Sequence, residues 1–91
     1  MIRVYYIDMA DKSSREDFYN TIEKELPLPD YFGSNLDALS DVFSEYGDGW
    51  DIIFYNMRKF MESEPDYFKK LTKMCRMAEK EYGNIRIRFY P

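Results

Sequence analysis

Three carboxylates recur at four-residue intervals in the stretch SNLDALSDVFSE, residues 34–45. Asp37, Asp41 and Glu45 have no Lys or Arg among them, although like charges at this spacing on a helix cost about 0.2–0.5 kcal/mol per pair. Asp41 and Glu45 also fall in the half of the helix whose partial negative charge disfavours anions. Such a surface suits a cationic ligand, which is either a basic protein or a divalent cation.

The same carboxylates have other interpretations. An acidic stripe is most often a solvated helix face without a ligand. Asp37 and Asp41 also match a weak, water-rich site for Mg²⁺ or Ca²⁺, and a pair of carboxylates can serve as general acid and base in a hydrolase. A chain of 91 residues has little room for the deep substrate cleft of such an enzyme. A metal-dependent hydrolase therefore stays open as the less favoured alternative.

Composition and charge limit the number of domains and the classes of partner that the chain could have. The 91 residues are 45% hydrophobic and 19% aromatic, which predicts one domain over residues 1–91 with a core of its own. The net charge of −4 argues against a general nucleic-acid or membrane binder. Residues 27–56 contain six Asp or Glu and no Lys or Arg, whereas the remaining residues carry 13 basic and 11 acidic side chains. The acidity is therefore regional and favours a basic protein partner.

The chain has one cysteine and no histidine. The absence of histidine excludes Ser-His-Asp and Cys-His catalysis and His-ligated zinc. The N-terminal stretch MIRVYYIDMADK lacks the apolar run of a signal peptide, and no run approaches the roughly 18 apolar residues of a membrane span. With the single Cys75, this predicts a cytoplasmic protein. We interpret Cys75 as a small core residue and the four methionines at 57, 61, 74 and 77 as side chains near the core, with a tolerant interface as the alternative for any methionine that is exposed.

Three segments have the composition of β-strands: IRVYYI near the N-terminus, IIFY at residues 52–55, and NIRIRFY near the C-terminus. IIFY is a continuous apolar run, which is typical of a strand covered on both faces, so we expect it to be the central strand. NIRIRFY alternates apolar with basic residues and predicts an edge strand with one wet face.

Helices are predicted between these strands. Ser13 and Glu16 have the spacing of a capping box and are expected to begin the first helix, and Ser34 is the expected cap of the second. One helical turn is expected at residues 58–61, and a last helix extends from about residue 63 to Gly83. Strands separated by helices imply right-handed parallel crossovers, so the predicted fold class is α/β, with a small parallel sheet packed against helices.

The stretch LPLPDYFGSNLDALSDVF, residues 26–43, resembles the barstar family, whose members are intracellular inhibitors of the secreted ribonuclease barnase. The segment KEL before the prolines and the ending AEKEYGNIRI are also similar, so the resemblance covers most of the chain. It implies a barstar-like fold of three parallel strands in sequence order with three to four helices packed on one side.

Carried over by matching positions, the resemblance implies a partner-binding face with Asp41 as the anchor that enters the phosphate pocket of the enzyme. The other expected contacts are Tyr31, Asn35, Asp37, Glu45, Tyr46 and Glu81. The chain departs from the family pattern at four of its positions. Ser40 and Tyr46 stand where the family has Trp, Glu45 replaces a Gly, and Met77 aligns with an acid.

These observations predict a non-catalytic inhibitor that binds a small basic ribonuclease one-to-one and is monomeric when free. The expected partner is a protein, with no direct nucleic-acid or membrane contact and no metal or cofactor. A barstar-like module for a different basic protein or toxin is the alternative that the altered positions Ser40, Glu45 and Tyr46 leave open.

Overall fold

The computed structural model describes all 91 residues and consists of three strands and four helices. In chain order these are β1 (Arg3–Asp8), α1 (Arg15–Glu25), α2 (Leu36–Tyr46), β2 (Trp50–Tyr55), α3 (Arg58–Ser63), α4 (Pro65–Tyr82) and β3 (Ile85–Phe89). The strands form one parallel sheet in the order β1-β2-β3. The predicted α/β fold with a central strand at IIFY is therefore confirmed.

The core lies between one face of the sheet and the helices. Alternate residues of the strands are buried on this face, and Trp50, Ile52 and Phe54 of β2 form its centre. The ring of Phe54 stacks on Phe89 of β3 with centroids 5.1 Å apart and lies 5.5 Å from Phe18 of α1. Because the buried side chains of all four helices belong to the same cluster, the helices cover this face only.

The other face of the sheet carries no helix. Val4 and Tyr6 of β1 are exposed there, and Arg88 of β3 donates to both carboxylate oxygens of Asp51 at 2.9 and 3.0 Å. Ile53 is nevertheless only 8% exposed, because in the strand register it lies between Tyr6 and Arg88. Cover on both sides of β2 explains why its sequence is a continuous apolar run.

The capping box of α1 begins one residue later than expected. The hydroxyl of Ser14 accepts from the backbone N–H of Asp17 at 3.0 Å, and the Asp17 carboxylate accepts from the N–H groups of Ser14 and Ser13. The prediction of Ser13 with Glu16 was wrong, because the acid of a capping box must stand at the third helical position, which Asp17 occupies. None of the helices has both the length and the apolar character needed to cross a bilayer.

The Cys75 thiol gives a direct test of this core. It is 0% exposed, and burial raises its pKa to about 12, so the native protein holds an unreactive thiol. We expect the native thiol to react with Ellman's reagent about 10³-fold or more slowly than the unfolded chain, since reaction requires unfolding. Because the unfolded thiol ionises near pH 9, stability should fall as pH rises from about 9 to 12. Rapid stoichiometric labelling of the native protein would contradict the packing.

Candidate partner-binding site

Helix α2 is fixed at both ends by local hydrogen bonds. The side-chain oxygen of Asn35 accepts from the N–H of Ala38 at 2.8 Å, and its amide nitrogen donates to the carbonyl of Gly33 at 3.1 Å. At the other end the N–H of Gly47 donates to the carbonyl of Phe43 at 3.0 Å. A side chain at Gly47 would place its Cβ 2.6 Å from that carbonyl oxygen, so the helix ends where only glycine fits.

Asn35, and not the predicted Ser34, is the cap of α2. Ser34 has a positive φ of 51°, and its hydroxyl donates to the Glu23 carboxylate at 2.7 Å. That side chain is therefore directed to α1, whereas Asn35 has the extended backbone that a cap requires. Asn35 is thus a structural residue as well as an expected contact.

The carboxylates of Asp37, Asp41 and Glu45 lie on the exposed side of α2, and Leu39, Val42 and Phe43 are buried on the other side. The last turn of the helix contains no basic residue. The structure has four ion pairs, and they are Arg15–Glu64, Lys59–Asp11, Arg76–Glu79 and Arg88–Asp51. None involves the three carboxylates, which are therefore exposed and unpaired; we call them the acidic stripe.

A small cavity of about 170 Å³ separates α2 from the loop that precedes it. Asp41 and Glu45 of the acidic stripe line it together with Tyr31 and Tyr46, and we call it the tyrosine cleft. The two tyrosine hydroxyls are 3.5 Å apart. This contact, with a smaller effect of the nearby Glu45 carboxylate, raises the pKa of Tyr46 to about 12. Two aromatic faces beside two carboxylates form a site whose chemistry favours a cationic side chain.

A second depression, of about 300 Å³, lies between α2 and α4, and we call it the α2–α4 groove. It is lined by Asp37, Ser40, Lys70, Lys73, Met74, Met77, Ala78, Glu81 and Tyr82. The Ser40 and Tyr82 hydroxyls are 3.3 Å apart across it. Met77 is 52% exposed, so it does not fill the core, and of the two interpretations of the methionines the exposed one applies to it. It belongs to the wet edge of the apolar stripe of α4.

The structure arranges the seven predicted site residues around α2. Tyr31, Asp41, Glu45 and Tyr46 meet at the tyrosine cleft, Asp37 and Glu81 border the α2–α4 groove, and Asn35 caps the helix. Sequence reasoning missed Lys70, Lys73 and Tyr82, which reach the same surface from α4. These three side chains lie beside α2 only because α4 packs against it. The sequence around each residue does not indicate that packing. No group of three or more Asp, Glu, Cys or His side chains is arranged to hold a metal ion.

A three-stranded parallel sheet with helices on one face and an unpaired acidic helix at its side defines a small α/β domain of the barstar type. A family model described as Barstar (barnase inhibitor) matches residues 2–90, nearly the whole chain. The chain therefore belongs to the Barstar family. Membership supports a barnase-inhibitor-like role, directed at a protein partner such as a ribonuclease, at the level of the family.

The hydrogen bond between the Asn35 side chain and the Ala38 N–H leads to a prediction about stability. Asn35→Ala removes the acceptor for the Ala38 N–H, so we expect the free energy of unfolding to fall by about 1 kcal/mol in urea titrations. Asn35→Ser keeps an oxygen at the cap and should be nearly neutral for stability. If both variants are equally destabilised, the cap is not what Asn35 contributes.

Proposed function

We propose that this protein inhibits a small basic ribonuclease of the barnase type, binding it one-to-one and blocking its phosphate-binding active site with α2. In this proposal the chain acts as a single domain over residues 1–91, is monomeric when free, and works in the cytoplasm without a cofactor. Asp41 is the anchor. The supporting contacts are Tyr31, Asn35, Asp37, Glu45, Tyr46 and Glu81.

The chemistry follows from what a ribonuclease must bind. An active site that holds a phosphodiester concentrates Arg and Lys side chains on a concave positive surface. Carboxylates on a rigid helix attract that surface at long range and then replace the phosphate oxygens as acceptors of charge-assisted hydrogen bonds. The repulsion between the carboxylates of the acidic stripe is relieved when the cationic partner arrives.

The observation that carries the proposal is the acidic stripe itself. Its three carboxylates are exposed and lack an ion pair in the free protein, although 13 basic side chains are available in the chain. A chain selected for stability alone would be expected to place a Lys or Arg four residues away from such acids. The stripe is therefore best explained by a cation that another molecule supplies.

A second candidate is a module of the same fold whose basic partner is a different protein or toxin. It is favoured by the positions at which the chain departs from the family pattern. Glu45 and Tyr46 line the tyrosine cleft, and Ser40 and Met77 line the α2–α4 groove. These differences lie on both sides of the acidic stripe. A partner that fits this surface therefore needs different side chains from one that fits the family pattern.

Inhibition of a guanyl-preferring ribonuclease by the purified protein tests the proposal. We expect activity to fall linearly with added protein until a one-to-one ratio is reached. The association rate should drop when ionic strength rises from about 0.01 to 1 M, since the Debye length shrinks from about 30 to 3 Å. Undetectable binding at micromolar concentration, together with tight binding to another basic protein, would favour the second candidate.

A further inference from the structure

The free edge of β3 is covered by side chains of α4. The N–H of Ile87 donates to the Glu79 carboxylate at 2.8 Å, and the carbonyl of Ile87 accepts from the Arg76 guanidinium. Arg76 and Glu79 also form an ion pair with each other, at 3.2 Å. The main chain at the middle of β3 therefore has no group available for a further strand.

The free edge of β1 has no such cover. The N–H groups of Arg3 and Met9 donate to main-chain carbonyls on the β2 side, at 2.7 and 2.9 Å. Because the main-chain groups of a strand point alternately to its two sides, the N–H and C=O groups of Val4 and Tyr6 point away from β2. The hydrogen bonds that other segments and side chains make include none to these groups. They are open to another strand.

The side chains beside the β1 edge are exposed and largely apolar. Val4 and Tyr6 are 48% and 68% exposed on the face of the sheet without helices, and Ile2, just before the strand, is 72% exposed. On the helix side Arg3 is exposed and Tyr5 is half-buried, so the first half of the strand is accessible from both faces. Natural proteins usually protect such an edge with Lys, Pro or a bulge, but β1 has no Lys or Pro and pairs without a bulge. The strand therefore has the properties of one that pairs with another chain.

The sequence of β1 is complementary to itself in one antiparallel register. When a two-fold axis passes between the Tyr5 residues of two copies, Val4 of each copy lies opposite Tyr6 of the other copy. The outward N–H and C=O groups of Val4 and Tyr6 then bond to one another, as in a hydrogen-bonded antiparallel pair. Their side chains form two pairs of a β-branched and an aromatic residue on the open face, a combination that stabilises neighbouring strands.

The charges at the two ends of β1 favour the same register. Arg3 and Asp8 lie opposite isoleucines of the other copy, so no two like charges face each other. A centre one residue later would place the Asp8 carboxylate opposite Val4, and a centre one residue earlier would pair only residues 3–5 of the strand. The register centred on Tyr5 therefore joins the largest apolar part of the edge.

We propose that two copies of the chain pair antiparallel along β1 and join their sheets into one sheet of six strands. No residue of β1 lines the tyrosine cleft or the α2–α4 groove, so the pair keeps both acidic stripes free for a partner. A contact through one six-residue strand is small, whereas specific stable interfaces bury at least about 1,000 Å². We therefore expect a dissociation constant of about 10⁻⁵ to 10⁻³ M, so that the dilute protein is monomeric as proposed above.

Sedimentation equilibrium of the full chain at rising concentration measures the association. We expect the average mass to increase from 11.1 kDa toward twice that value. Val4→Lys places a lysine on the edge at an exposed position and should raise the dissociation constant by about tenfold or more. Tyr90→Lys is the matched control, because Tyr90 is 47% exposed just after β3 and the substitution changes the net charge by the same amount. It should associate like the wild type, and circular dichroism should show that both variants are folded.

NMR on a mixture of isotope-labelled and unlabelled protein identifies the surface that pairs. We expect a contact between the Hα protons of Tyr5 in the two copies, because these residues face each other in a pair without mutual hydrogen bonds. Amide hydrogen exchange at Val4 and Tyr6 should slow as the concentration rises. The amide of Ile87, which is already bonded to Glu79, is the internal control and should exchange at the same rate throughout.

A mass of 11.1 kDa at every concentration up to about 1 mM would overturn the proposal. Association that is equally strong in Val4→Lys, or that shows no contact between the Tyr5 residues, would mean that another surface joins the copies and would overturn it as well. These measurements contain no ribonuclease, so their result is independent of the proposed function.

Discussion

Asp41→Asn is expected to weaken binding to the ribonuclease by roughly 10²- to 10⁴-fold while the fold is retained. The substitution keeps the size of the side chain and removes its charge. In the proposed complex the Asp41 carboxylate leaves water and pairs with the cations of the phosphate pocket. Removing one partner of a buried ion pair costs about 3–5 kcal/mol, because the opposite charges stay buried without compensation. Inhibition constants together with circular dichroism measure both parts of this prediction.

Glu62→Gln provides the matched control for the loss of one negative charge. Glu62 is exposed on α3 and makes no ion pair, so this variant has the same net charge as Asp41→Asn. We expect its inhibition constant to remain within about threefold of the wild type, since an exposed, unpaired charge outside the interface acts only through the screened long-range field. Equal losses in the two variants would mean that total charge, and not a pocket for Asp41, determines binding.

Phe54→Ala should lower the free energy of unfolding by about 3–5 kcal/mol, a large part of the total for a domain of this size. Phe54 is 1% exposed in the central strand and contacts the rings of Phe18 and Phe89. Truncation leaves a cavity between α1, β2 and β3. The surrounding side chains can relax into such a cavity only in part, so the lost contacts are not replaced. Urea titration followed by tyrosine and tryptophan fluorescence gives the value.

Tyr6→Ala is the control for the loss of an aromatic ring from the sheet. Tyr6 pairs in register with Ile53 but is 68% exposed on the face without helices. Its loss should cost about 1 kcal/mol or less, the range of strand propensity at an edge. Comparable destabilisation by the two substitutions would contradict the placement of the core on one side of the sheet.

The order and burial of the strands were predictable from the sequence because each depends on a short-range pattern. The continuous apolar run at Ile52, Ile53 and Phe54 identified the central strand, and the alternation of Arg86 and Arg88 with apolar residues identified an edge. Parallel pairing followed from the helices that separate the strands. The family pattern around α2 added the location of the candidate site.

Helix caps were predicted less well, because neighbouring residues of similar chemistry compete for the same position. Ser34 and Asn35 are both good caps, and the choice depends on the left-handed backbone of Ser34 and its hydrogen bond to Glu23. The choice between Ser13 and Ser14 also depends on distances in the folded chain. The Ser14 hydroxyl accepts from the Asp17 N–H, and the Asp17 carboxylate accepts from the Ser14 N–H. A one-dimensional pattern contains neither of these distances.

The α2–α4 groove was beyond sequence reasoning for a different reason. Met77 belongs by spacing to the edge of the apolar stripe of α4, and only the packing of α4 against α2 decides that it faces Ser40 across open space. The tyrosine cleft likewise needs the loop at Tyr31 to return to the end of α2 at Tyr46. Surfaces made by two elements require the tertiary structure.

Competition between this protein and guanosine 3′-monophosphate for one ribonuclease tests most directly whether the carboxylates of α2 take the place of RNA phosphates. If they do, the apparent dissociation constant increases linearly with the nucleotide concentration, and no ternary complex forms. A ternary complex with unchanged affinity would show that α2 binds elsewhere on the enzyme.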